Sequence, residues 1–232
     1  MNGVMNGLVK MAGKIDRNKY LKGIKDSLMT LLPLIIIGSF ASLFSTLLSA
    51  DWAAGIGLSG LGSMFSAISF ACVSCMTIAL VFLIGYLMAK ANKMDPLIGA
   101  LCSFASYIVL VPSFTTVTVD DIETTVSNVL GSNYLGAAGM LIGLVMGIVS
   151  VEILCRLMKV EKIKIKMPEE VPPMIAKSFN VLIPLAITIV IMALIGWGTV
   201  QLSGSYLPDL FYTFIQKPLE GLAQTPFAAV LI

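Results

Sequence analysis

Residues 27–49, SLMTLLPLIIIGSFASLFSTLLS, run for 23 positions without a charged side chain. A bilayer core is about 30 Å thick and a helix rises about 1.5 Å per residue, so about 20 apolar residues cross it. This stretch meets that length, and it decides the class of the protein. Four further runs follow it, at 65–89, 96–114, 134–155 and 179–200. Three of them are also uncharged, and the run at 134–155 carries Glu152 near its end. Composition agrees: 57% of the chain is hydrophobic and 12% charged, whereas a soluble domain is about half apolar and about a quarter charged. The expectation is an all-α membrane protein with five transmembrane helices.

The connections between the runs carry the orientation. Lys10, Lys14, Arg17, Lys19, Lys22 and Lys25 precede the first run. Lys90 and Lys93 follow the second, and Arg156, Lys159, Lys162, Lys164, Lys166 and Lys177 follow the fourth. These alternate connections hold 14 of the 15 basic residues, leaving Lys217. The intervening loop 115–133 has none and carries Asp120, Asp121 and Glu123. Basic loops stay in the cytoplasm, so the N-terminus is expected inside and the C-terminus outside.

Residues 1–26 read as an amphipathic, basic segment on the inner membrane surface, and the apolar run that follows, longer than a leader's, reads as a retained signal anchor and not a cleaved leader. Residues 156–178 form a cytoplasmic loop, and 201–226 read as interfacial helices. The apolar residues 227–232 read as the start of a truncated sixth span, because six residues cannot cross a bilayer. Pro33, Pro112 and Pro184 fall inside apolar runs, where neighbouring helices can satisfy the backbone groups they free.

Several motifs stand out. The chain has no histidine, which removes the commonest general base and the commonest metal ligand together. No metal, no cofactor, no catalytic residue and no nucleic-acid patch is expected. Gly139, Gly143 and Gly147 recur every fourth residue, as a close helix-packing face within one subunit or a dimer face. Cys72 and Cys75 form a C-x-x-C at mid-membrane, read as buried small side chains in the absence of a group to stabilise thiolate. Glu152 and Arg156, one turn apart, are expected to pair as an anchor at the membrane surface. Residues 159–166, KVEKIKIK, suit a headgroup-facing stretch or docking of a soluble partner. In MPEEVPPMIAKSF, residues 167–179, Pro168, Pro172 and Pro173 forbid a continuous helix into the fifth run.

That segment also carries a resemblance. MPEEVPPMIAKSFNVLIP at 167–184, KIDRNKYLKGIKDSLMTLLPLIIIGSF at 14–40 and FIQKPLEGLAQ at 214–224 resemble the membrane-spanning IIC component of the sugar phosphotransferase system, in its lactose, cellobiose and diacetylchitobiose branch. The matching residues of the cytoplasmic loop are Pro168, Glu169, Pro172, Pro173, Lys177, Ser178 and Phe179. The chain departs from the family pattern at Glu170, where Gly is favoured, and at Met174, where Ala is favoured. The resemblance implies a homodimer in the bacterial plasma membrane. It would carry a β-linked disaccharide such as cellobiose or diacetylchitobiose and present it to a soluble B component, whose cysteine supplies the phosphate. It also implies that this chain is the dimerising scaffold half, with substrate-binding residues expected beyond Ile232. A non-transporting membrane scaffold or regulatory short form is the alternative. An intramembrane enzyme is disfavoured, because the spans offer no second acid, histidine or activated nucleophile.

Overall fold

A computed structural model describes residues 17–50, 59–119, 122–163, 165 and 172–218. Helix α1 (Lys19–Leu48) starts where the Asn18 side chain accepts a hydrogen bond from the Tyr20 N–H at 3.0 Å. Residues 19–26 are therefore the first turns of α1. Residues 1–16 lie outside the described residues. Pro33 sits within α1 without ending it.

Helix α2 (Ser59–Ser69) passes through a π turn (Phe70–Ser74) into α3 (Met76–Ala91). The Cys75 N–H donates to the Phe70 carbonyl at 3.1 Å, the wider closure that defines such a turn. The turn presses Cys72 against α1 at Gly38, where an added Cβ would lie 2.7 Å from the Cys72 Cβ. Cys72 and Cys75 are both free thiols.

Helix α4 (Pro96–Leu110) begins at Asp95, whose carboxylate accepts from the Leu97 N–H at 2.9 Å, with Pro96 in the first turn. The sequence reading carries this run to residue 114, with Pro112 inside it. The helix instead stops at Leu110. Pro112 has no N–H and forces the preceding Val111 into extended backbone, at ψ 138°. Its 15 residues rise about 22 Å, short of the bilayer core. Among the described residues, four helical stretches are long and apolar enough to cross a membrane: α1, α2–α3, α6 and α7.

The all-α expectation also has an exception. The loop after α4 contains a hairpin of β1 (Phe114–Val119) and β2 (Ile122–Ser127), antiparallel from Phe114↔Ser127 to Val119↔Ile122. FTTVTV and IETTVS are dominated by β-branched residues, which favour strands.

A short α5 (Ser132–Leu135) leads into α6 (Ala137–Leu157). Helix α7 (Pro173–Ser203) begins at the two prolines and ends at Gly204, whose φ of 70° suits glycine and whose N–H bonds the Val200 carbonyl. Residues 201–203, expected to be interfacial, are its last turn. Helix α8 (Leu207–Phe211) and the π turn Tyr212–Gln216 occupy the rest of that segment up to residue 218. The expected sixth run at 227–232 lies outside the described residues.

Helix α3 is the centre of the bundle. Leu80, Ile84 and Met88 are fully buried against Leu31 of α1 and Leu144 and Val151 of α6. The opposite stripe of α1, Leu32, Ile36, Phe40, Leu43 and Leu47, is exposed. In water that stripe would be a liability, whereas in hydrocarbon it is the solvent-matched face.

Candidate functional site

Polar groups collect at the two ends of the bundle, with a closely packed glycine seam between them. At the end that gathers the basic connections, Lys19 Nζ donates to Glu152 Oε1 at 2.5 Å and to Asn92 Oδ1 at 3.1 Å. Asn92 Nδ2 donates to the same Glu152 oxygen at 3.1 Å and to the Met88 carbonyl at 3.0 Å. The start of α1, the end of α3 and the end of α6 are thereby tied at one carboxylate.

The expected Glu152–Arg156 pair is met only in part. Arg156 lies near enough to act on Glu152 as a charge, but it is not among the described hydrogen-bond or ion-pair partners of the acid. Two tertiary donors, brought in by α1 and α3, make those bonds. Arg156 joins Lys93 and Lys159 around a cavity of about 330 Å3 over this knot. Its cations can attract an anionic surface.

The glycine face of α6 turns inward. A Cβ at Gly139 would lie 2.1 Å from the Tyr134 carbonyl and 2.6 Å from Tyr107 Oη. At Gly143 it would meet Val81 Cγ2 at 2.8 Å, and at Gly147 Ile84 Cγ2 at 2.7 Å. All three glycines thus bring α6 onto α3 and α4 of the same chain. A second seam escaped the sequence reading. Gly85 lies against Ser103, and Gly99 against Ala89, at 2.5 and 2.2 Å from an added Cβ. Gly85 with Ala89, and Gly99 with Ser103, are small residues four apart on facing helices, a signal that could have found it.

At the other end, Tyr107 Oη donates to the Tyr134 carbonyl at 2.6 Å, and Tyr134 Oη to Asp209 Oδ1 at 2.8 Å. Asn133, Tyr134, Asp209 and Tyr212 line a cavity of about 300 Å3 there. The sequence gives no local sign of it, because 75 residues separate Tyr134 from Asp209. The carboxylate ties α8 to the entry of α6.

Of the loop motif, Pro172 caps α7 and Pro173 stands in its first turn. Ser178 and Phe179 follow on α7 as exposed residues, and Lys177 lies on the same helix. Pro168 and Glu169 lie outside the described residues.

Residues 25–229 match the family model "Phosphotransferase system, EIIC". The chain is similar to the oligo-beta-mannoside-specific EIIC component of Bacillus subtilis (strain 168), with 33% identity over 217 residues, covering 93% of this chain and 48% of that protein. It is also similar to the cellobiose-specific EIIC component of Geobacillus stearothermophilus, with 26% identity, covering 97% of this chain and 51% of that one. Its fold matches the crystal structure of the transporter ChbC, the IIC component from the N,N'-diacetylchitobiose-specific phosphotransferase system. The TM-score is 0.86 at 25% identity, covering 96% of this chain and 52% of that structure. The chain spans about half the length of the curated relatives it matches. Matched by its family's model across most of its length, and folded like a member of known structure, this multi-pass membrane chain belongs to the EIIC family of the phosphotransferase system.

Proposed function

We propose that this chain is the dimerising scaffold half of a phosphotransferase sugar permease that takes up a β-linked disaccharide such as cellobiose or diacetylchitobiose. The basic end faces the cytoplasm and a soluble B component, with Lys93, Arg156 and Lys159 as the attractive rim. The sugar-contacting residues belong to another part of the permease.

One observation carries the scaffold reading: hydroxyls buried in the bundle already bond its own backbone. Thr77 donates to the Gly136 carbonyl at 2.6 Å, Ser103 to Val81 at 2.8 Å, Ser150 to Gly147 at 2.9 Å and Thr188 to Pro184 at 2.8 Å. These groups hold helices and are not offered to a ligand. A groove of about 700 Å3 between the helices is lined almost wholly by apolar side chains. A disaccharide buried there would leave each unpaired hydroxyl costing about 1–3 kcal/mol.

The test is phosphotransfer. Membranes bearing the chain, given phosphoenolpyruvate and the soluble phosphotransferase proteins of a cellobiose system, should form no sugar phosphate, while the purified chain runs as a dimer in detergent. Phosphorylation of cellobiose by this chain as its sole membrane component would overturn the assignment.

A further inference from the structure

The seam between α1 and α3 changes character along its length. At the basic end it opens as a cavity of about 390 Å3 whose charged lining is Arg17, Lys19, Lys22, Lys90 and Asp26. Deeper in the bundle it becomes the apolar groove, with Leu34 on α1, Ala79 and Leu83 on α3, and Phe104 on α4 among its walls. The two are continuous on both helices. Lys19, Gly23, Asp26, Thr30 and Leu34 follow one another at helical spacing on α1, as Lys90, Leu87, Leu83 and Ala79 do on α3, with Cys75 at its N-terminal cap.

We propose that this seam binds one anionic phospholipid, its phosphate among the cations at the mouth and an acyl chain along the groove. Charge supports an anionic headgroup. Lys19 is engaged by Glu152, and Asp26 lies 3.7 Å from Lys25. Arg17, Lys22 and Lys90 have no acidic partner among the described residues, so three cations without a described counter-charge face the cavity. Basic pockets between transmembrane helices at this level suit acidic headgroups. Length supports the chain. From Leu83 to Ala71 the groove follows 12 helical steps, about 18 Å, against about 15 Å for one leaflet of the hydrocarbon core. A zwitterionic lipid would fill the groove but leave the cations uncompensated. Free phosphate would satisfy the cations and leave the groove empty.

Native mass spectrometry of the full chain, titrated with phosphatidylglycerol or phosphatidylcholine in detergent, tests this. One phosphatidylglycerol per chain should be retained in preference to phosphatidylcholine. Millimolar inorganic phosphate should not displace it. Lys22→Gln with Lys90→Gln, both exposed positions, should weaken phosphatidylglycerol binding about 30-fold, at the usual worth of a lysine near an anionic surface. Ala79→Phe should abolish retention by filling the groove while leaving both lysines in place. Equal retention of the two lipids, full displacement by phosphate, or unchanged binding in the double variant would overturn the proposal. So would cross-linking of Ala79→Cys to its counterpart in phosphatidylglycerol bilayers, which gives the groove to a second copy.

Discussion

Lys19 and Glu152, 133 residues apart in sequence, meet as an ion pair that closes the basic end of the bundle. Their side chains are 38% and 19% exposed, so water and salt screen the pair only in part. Glu152→Ala also strips Asn92 of an acceptor. It should cost about 1–2 kcal/mol, lowering the detergent melting temperature by about 2–8 °C. Lys19→Ala combined with it should show a coupling of about 1 kcal/mol in a double-mutant cycle. Additive single effects would mean that the two side chains do not interact.

Gly143 has room for a hydrogen and nothing larger. A leucine there would push against Val81 and Thr77 in the middle of the bundle, and overpacking of this kind costs typically about 1–3 kcal/mol or more. Gly143→Leu is expected to aggregate on extraction, and Gly143→Ala to fold with a lowered melting temperature. Val81→Ala removes the methyl that lies 2.8 Å from the added Cβ. It should recover part of the loss when combined with Gly143→Ala. A Gly143→Leu protein that stays folded but becomes monomeric would instead assign this face to the dimer contact.

Orientation is accessible to labelling. In a background lacking Cys72, Cys75, Cys102 and Cys155, a cysteine introduced at Asp121 should react with an impermeant maleimide in intact cells. One introduced at Lys164 should react only after permeabilisation. The reverse pattern would invert the topology drawn from the basic residues.

Much of the bundle was legible because lipid imposes a simple rule: spans must be long, apolar and helical. Residues 27–48 of the first run fall inside α1, and 179–200 inside α7, for that reason. Where the rule is silent, the reading failed. Pro112 sits among apolar residues and looks like part of a span, yet it stops α4 two residues earlier. Asp120, Asp121 and Glu123 make the connection 115–133 read as an acidic loop, whereas the Thr and Val content of the paired strands points to a hairpin. Arg156 was the nearest candidate in sequence for Glu152, but packing of three helices delivered Lys19 and Asn92 instead. The Tyr134–Asp209 link joins segments with no sequence proximity, so only the fold reveals it.

The claim that this chain is the scaffold part of a sugar permease, and not its sugar site, is tested most directly by calorimetry. The purified chain in detergent is titrated with cellobiose, diacetylchitobiose and lactose. The buried hydroxyls of Thr77, Ser103, Ser150 and Thr188 are committed to backbone carbonyls and the groove between the helices is apolar, so the account predicts only heats of dilution for all three. A saturable signal with a micromolar Kd for any of them would contradict it, and would assign the substrate site to these helices.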